Sequence, residues 1–172
     1  MVNWWPNGYQ EDFETISIEP LKKAIELLKG DTCLEIGCGN GYWSKELLGR
    51  FKLTGIDIIE KSDFLKGEYI RLWNFDWNRK FDIIYSFGVF CHLPLWHQQD
   101  YLYKVRKMLK GKALISFANW DRHPSLSIHS NIKEIDGWYY NNLEITKTMC
   151  LNAGLNMTDI DPAYRDTIAL LW

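Results

Sequence analysis

An α/β fold built on a doubly wound, mostly parallel sheet is what these 172 residues predict, and three observations predict it. Short apolar runs of strand type alternate along the chain with amphipathic stretches of helical period. A glycine-rich turn, GCGNG, joins the first such run to the helix behind it. Composition supplies the third: 47% hydrophobic and 24% charged residues give enough material for a sizeable core in a single domain spanning 1–172.

Residues 17–29 read as a helix, with Pro20 suited to the first turn, Leu21, Ala24, Ile25 and Leu28 on one stripe and Gly30 as a left-handed cap. TCLEI (32–36) is a short buried strand, and 42–51 is the helix that the glycine turn opens. Strands follow at 52–58, 68–73, 81–87 and 112–118, with an amphipathic crossover helix at 97–110. The tail repeats the pattern: 142–155 is helical, and 156–160 and 166–172 are strands. Their DPAYR connection is too short for a crossover, so they pair antiparallel at a sheet edge. The sum is a Rossmann-like sheet of seven strands, mostly parallel with an antiparallel last strand, and helices on both faces. Three stretches read as irregular: 1–16, 92–95 and 119–142. Ligands of such sheets sit beyond the carboxyl ends of the strands, so 1–16 is expected as a flexible N-terminal lid and 119–142 as a loop on the ligand side.

Charge narrows the partners. The net charge is −2, the isoelectric point about 6.1 and the mean hydropathy −0.28, with acids and bases interspersed. No block creates the positive field that a phosphate backbone requires, which argues against nucleic acid. No apolar run approaches the ~20 residues of a spanning helix, and the first residues carry neither a basic start nor an apolar h-region. A cytoplasmic protein with no membrane partner is expected. Cys33, Cys38, Cys91 and Cys150 lack CxxC spacing and read as reduced, small hydrophobes, and no His or Cys spacing suggests a metal site. Aromatics reach 15%, with 9 Trp, 9 Tyr and 8 Phe, more flat surface than a core this size needs, so some of it is expected to line a pocket.

Gly37, Gly39 and Gly41 stand at alternate positions between strand and helix, where the backbone turns sharply and approaches a ligand with no Cβ in the way. Glu35 lies two residues before the first of them. Asp57 closes the next strand, where a doubly wound sheet presents a carboxylate to a ribose diol. With these residues LEIGCGNGYWS resembles the first motif of the class I S-adenosylmethionine-dependent methyltransferases, an acid followed by GxGxG. Dinucleotide oxidoreductases place their glycines as GxGxxG to meet a pyrophosphate, and that spacing is absent from this loop. An acid at Glu35 suits a ligand carrying an ammonium and a sulfonium where it would repel a pyrophosphate.

The spacing of His, Cys and acids argues for no metal; the resemblance implies S-adenosylmethionine as cofactor and S-adenosylhomocysteine as product. It implies that Gly37, Gly39 and Gly41, with Cys38 among them, flank the methionine moiety while Glu35 helps hold its amino group. Asp57 then takes the ribose hydroxyls with Ile58 beside the adenine, Asp76 and Trp77 contact the adenine edge, and Ser86 and Phe87 pass under the cofactor. Three departures stand out. Cys91 and His92 replace paired histidines often found after the fourth strand, LKGK replaces LKPGG before the fifth, and the connection from Arg71 to Phe81 is too short for the helix many relatives carry. A [DNS]PP[YFW] tetrapeptide is absent, which with the acidic isoelectric point argues for a small-molecule partner methylated at O, N or S by in-line displacement.

A hydroxyl acceptor needs a base, and His92 is the first candidate; the competing reading is a hydrogen-bonded structural histidine. Trp4, Trp5 and Tyr9 before the core, and Trp138, Tyr139 and Tyr140 after the fifth strand, have two readings, as walls closing over a sulfonium or as rings packing loops onto the core. His123, Asp121 and Arg122 are candidates to orient an acceptor, Arg122 suiting a carboxylate or phosphate. Trp5, Tyr9, His123 and Tyr139 form the candidate substrate set. Two other functions compete: a methyltransferase-like module that binds the cofactor or a protein without turnover, and a nicotinamide oxidoreductase.

Overall fold

The computed structural model describes residues 19–39, 41, 44–60, 66–72, 75–122, 134–135, 138–161 and 166–172. Helix α1 (Glu19–Glu26) leads into β1 (Thr32–Ile36), α2 (Ser44–Leu48), β2 (Lys52–Asp57), β3 (Glu68–Arg71) and β4 (Phe81–Ser86). There follow α3 (Leu95–Met108), β5 (Leu109–Phe117), β6 (Glu134–Ile135), β7 (Trp138–Tyr139), α4 (Leu143–Asn152), β8 (Met157–Asp159) and β9 (Thr167–Leu171), with 3₁₀ turns at Phe90–His92 and Trp120–Arg122. Seven strands form one sheet in the order β3-β2-β1-β4-β5-β9-β8. The first five of that order run parallel, and β9 is antiparallel to both β5 and β8. Six strands therefore share a direction and the last opposes them, as the pattern predicts.

The central strands are buried on both faces, and their alternation divides the core in two. Along β4, Phe81 and Ile84 face one cluster while Ile83 and Tyr85 face the other; along β9, Ala169 and Leu171 join the first and Ile168 and Leu170 the second. Tyr101, Leu102, Val105 and Met108 of α3 and Met149 and Cys150 of α4 fill the first cluster. Ala24 and Ile25 of α1 and Leu47 of α2 fill the second. Helices on both faces of one sheet make the domain doubly wound, and this layering brings the ends of β1, β2, β4 and β5 to a common edge.

Several expectations need correction. Helix α1 ends at Glu26, so Gly30 is not its cap. A Cβ on Gly30 would stand 2.4 Å from Asp82 Cβ, and one on Gly111 would stand 2.5 Å from the Asp82 carbonyl oxygen, so both glycines answer to that neighbour. LKGK belongs to β5, which starts at Leu109 directly after α3 where a helix to 110 and a strand from 112 are expected, and the β4–β5 register slips between Phe81 and Ile83, opposite the extra residue of β5. The stretch 119–142 is not wholly irregular. Besides the turn Trp120–Arg122 it holds the two-stranded sheet of β6 and β7, paired Glu134 with Tyr139 and Ile135 with Trp138. Asp-Gly lies between those strands in the sequence, a hairpin signal that identifies the element. As expected, the described residues between β3 and β4 include no α-helix.

Candidate functional site

The turn after β1 is shaped by its neighbours. Gly37 donates its amide to the Ile56 carbonyl at 2.8 Å and Cys38 donates to the same oxygen at 3.2 Å, pulling the turn over the end of β2. Gly37, Gly39 and Gly41 have φ of 73°, 52° and 85°, conformations that side chains resist. The first two glycines are required for different reasons. A Cβ on Gly37 would lie 2.0 Å from Val89 Cγ2, whereas a Cβ on Gly39 would meet nothing within 4 Å. Gly37 is a packing glycine, and Gly39 borders open space.

Asp57, half-buried at the end of β2, reaches that loop. Its Oδ2 accepts the Gly39 amide at 2.7 Å, and its Oδ1 accepts the amides of Ile58 at 2.7 Å and Ile59 at 3.2 Å. Three of the carboxylate's roughly four acceptor positions are occupied, so a ligand hydroxyl has to compete with or share an amide. Ile58 beside it is 62% exposed, a large apolar side chain at the edge where ligands collect. Tyr69 of β3 braces the turn, its hydroxyl donating to the carbonyls of Asp57 and Ile59. Burial, then the Asp57 charge, push that phenol up to about 12.

Glu35 is 2% exposed within β1 and accepts a hydrogen bond from the Ser44 hydroxyl at the start of α2. Burial raises its carboxyl to about 7; the Ser44 bond opposes the rise and the charge of Asp57 adds to it. Cys38 points inward: it is 5% exposed, belongs to the core cluster on the α1–α2 face, and its thiol is pushed up chiefly by burial. Only its backbone borders the turn. Ser86 and Phe87 lie under this region, the Ser86 hydroxyl donating to the Ile36 carbonyl at 3.1 Å and Phe87 sitting in the same cluster as Cys38. Asp76 is exposed, accepting the Asn78 amide at 2.9 Å. Trp77 is half-buried, with its ring edge-on to Phe75 at 4.8 Å and to Tyr101 of α3 at 6.1 Å.

His92 ends the 3₁₀ turn after β4 and is half-buried, its amide donating to the Val89 carbonyl at 2.9 Å. Strand β7, with the half-buried Tyr139, packs beside that turn. Two expected site residues far apart in sequence are thus brought together. Arg122 is committed elsewhere. Its guanidinium pairs with Asp159 and donates to the carbonyls of Asp161 at 3.3 Å and Asp166 at 2.9 Å, clamping the β8–β9 connection in place of an acceptor anion. Trp5, Tyr9, His123, Trp4 and the expected lid 1–16 lie outside the described residues. Sequence reasoning missed Val89, Tyr69, Ser44, Gln98 and Asn141. A glycine that must admit a neighbour carries no mark of which neighbour, and polar residues within helices look like surface.

Comparison with known proteins gives the family and the fold. A family described as methyltransferase domain matches residues 9–154, and the chain belongs to that family. The methyltransferase resemblance carried by LEIGCGNGYWS is thereby borne out. Among solved structures, an S-adenosylmethionine-dependent methyltransferase from Clostridium acetobutylicum is 15% identical with a TM-score of 0.71, covering 96% of this chain and 98% of that one. A 1,6-didemethyltoxoflavin-N1-methyltransferase from Burkholderia thailandensis, with its substrate and S-adenosylhomocysteine bound, is 14% identical with a TM-score of 0.69 over 95% of this chain and 80% of that one. The magnesium protoporphyrin IX methyltransferase from Synechocystis, with S-adenosylhomocysteine bound, is 17% identical with a TM-score of 0.66 over 95% and 83% of the respective chains. No curated protein matches.

Proposed function

We propose that this chain transfers the methyl group of S-adenosylmethionine to an O, N or S atom of a small molecule by in-line displacement, releasing S-adenosylhomocysteine. The observation that carries the reading is the Asp57–Gly39 hydrogen bond of 2.7 Å, which sets a carboxylate at the rim of a turn whose Gly39 faces open space. The residues fit such a ligand. A buried acid at Glu35 is suited to an ammonium, Asp57 retains acceptor capacity for a sugar hydroxyl, and exposed Ile58 offers an apolar edge to a base. Bound S-adenosylmethionine supplies a methyl group on a cationic sulfur that is already a good leaving group.

The chain's own work is alignment, exclusion of water and, for a hydroxyl acceptor, proton removal. Gly37, Cys38, Gly39 and Gly41 contribute backbone to the donor cradle, with Ser86 and Phe87 as its floor and Asp76 and Trp77 at the adenine edge. His92 takes the acceptor proton, and Tyr139 gives the acceptor an aromatic wall, joined by Trp5, Tyr9 and His123 from the segments outside the described residues. The small-molecule assignment draws support from the acidic isoelectric point and from proteins of the same fold whose names specify 1,6-didemethyltoxoflavin and magnesium protoporphyrin IX. The four cysteines, all buried, support a cytoplasmic setting, and no described helix is long and apolar enough to cross a membrane.

Calorimetry with S-adenosylmethionine and S-adenosylhomocysteine tests the donor half. Asp57→Ala is expected to weaken binding of both by ~1–3 kcal/mol, the cost of removing a charged hydrogen-bond acceptor. Unchanged affinity removes Asp57 from the site. Tight S-adenosylhomocysteine binding without release of tritiated methyl to any acceptor would make the chain a binding module in place of an enzyme.

A further inference from the structure

Behind His92 lies a buried side-chain network that the methyl-transfer reading does not use. Gln98 of α3, 1% exposed, donates both hydrogens of Nε2 to the turn after β4, to the Phe90 carbonyl at 2.9 Å and the Leu93 carbonyl at 2.8 Å. Its Oε1 accepts from Nδ2 of Asn141 at 3.1 Å. Asn141 is fully buried just beyond β7, and its Oδ1 accepts from the Thr146 hydroxyl of α4 at 3.0 Å. The backbone of Asn141 is tied as well: its amide donates to the Ala118 carbonyl and its carbonyl accepts the Trp120 amide, each at 3.0 Å. One pair of amides therefore joins the His92 turn, the strand carrying Tyr139, the end of β5 and α4.

Such a pair is costly to bury unless its polar atoms are matched, and here they are. Two apolar residues would fill the space without the matching requirement. What a satisfied amide pair adds is a fixed distance and orientation, because each hydrogen bond is short-ranged and directional. The elements it joins are those bearing the expected acceptor-side residues. It makes no described hydrogen bond to the glycine turn or to Asp57.

Resting on the methyl-transfer reading, we propose that Gln98 and Asn141 are positioning residues for the acceptor: the amide pair sets the separation between the His92 turn and the Tyr139 strand, and does so independently of donor binding. The imidazole and the tyrosine ring are presented at one spacing whether or not the donor is bound. Truncating either amide breaks the link between the turn and the strand, and truncating the second costs less than it does alone, because the bond between them is already lost while the bonds each makes to its own element remain.

The test uses Gln98→Met, Asn141→Ala and the double variant of the full chain. Nuclear magnetic resonance of the His92 imidazole is read beside calorimetric affinity for S-adenosylhomocysteine. Each single variant is expected to broaden the His92 ring signals and shift their titration midpoint. The double variant should fall short of the sum of the two single effects, the non-additivity of coupled partners. S-adenosylhomocysteine affinity should stay within roughly twofold of the wild type. Unaltered His92 signals in folded variants, additive effects, or an affinity loss of about tenfold or more would overturn the proposal. Amide exchange of the wild-type protein decides the matter should a variant not fold. The amides of Leu93, Trp120 and Asn141 are expected to open as one unit, and separate opening rates overturn the coupling. Failure of the donor reading is distinguishable, since it appears as no wild-type affinity for S-adenosylhomocysteine.

Discussion

The glycine-turn side of the candidate site is held by backbone amides converging on one carboxylate and one carbonyl, whereas the His92 side is held by side-chain amides that meet across the core. On the first side Gly39 and Asp57 are 18 residues apart and one helix and one strand, α2 and β2, connect them. On the second, Gln98 and Asn141 are 43 residues apart and belong to elements that only the folded sheet brings together. Backbone-built geometry needs specific residue types at specific local positions, because only glycine adopts the turn at little cost. Side-chain geometry needs only that a polar atom arrive at the right place. The first kind leaves a motif, and the second leaves scattered Gln and Asn.

The sharpest way to break this comparison is within the glycine turn. Gly37→Ala combines a positive φ of 73° with a Cβ 2.0 Å from Val89 Cγ2, so strain and overpacking act together. A stability loss of about 2–4 kcal/mol is expected from denaturant titration. Gly39→Ala has the φ penalty alone, about 1–2 kcal/mol, because its Cβ meets open space. Its larger effect should fall on S-adenosylhomocysteine affinity, lowered roughly tenfold or more as the methyl group occupies the cradle. Equal stability losses in the two variants, with affinity untouched, would show that Gly39 borders no ligand.

Glu35 offers the next test, through pH. Burial raises its carboxyl from the ordinary 4.5 to about 7 in the folded chain. A folded-state value above the unfolded one means that the native state binds the proton more tightly. The contribution to stability is therefore complete below about 4.5 and is lost as pH rises through about 7. Glu35→Gln should remove that slope, giving a flatter stability profile between those limits. Donor affinity should move the other way in the wild type, strengthening as pH rises through 7 because the carboxylate form attracts the ammonium. A pH-independent affinity would separate Glu35 from the donor's amino group.

How much was legible follows the same division. The seven strands, their antiparallel last pair, Glu35, the glycines and Asp57 all announce themselves by period, turn residue or spacing. The α1 boundary and Gly30 did not, because a glycine near a helix end resembles a cap, and only the sheet shows Asp82 against it. Arg122 looked like an anion ligand since nothing in NWDRHP reveals that Asp159 lies 37 residues on and beside it. The β6–β7 hairpin was legible from Asp136 and Gly137 but was obscured by a polar, aromatic stretch of loop-like composition. Gln98 reads as the polar face of an amphipathic helix, while its burial depends on a loop that helical period does not describe.

The opposite end of the sheet supplies the control and the smallest expected effect. Asp82 accepts hydrogen bonds from the Thr32 hydroxyl at 2.8 Å, the Thr32 amide at 3.0 Å and the Asp31 amide at 3.2 Å, with Lys110 at 3.1 Å. These bonds, the Thr32 hydroxyl first, hold its carboxyl well below the usual range. Lys110 is half-exposed, so the ion pair adds little and the hydrogen bonds carry the effect. Asp82→Asn keeps an acceptor oxygen but loses the charge, and should lower stability at neutral pH by about 1 kcal/mol. A depressed folded-state value contributes stability above the unfolded pKa and loses it as pH falls. The gap between wild type and variant should therefore narrow below about pH 4. S-adenosylhomocysteine affinity should not move, because this staple sits at the amino ends of the strands while ligands of such sheets collect at the carboxyl ends. An affinity loss comparable to that of Gly39→Ala would mean that the two ends of the sheet are coupled, and that the division between frame and site is drawn in the wrong place.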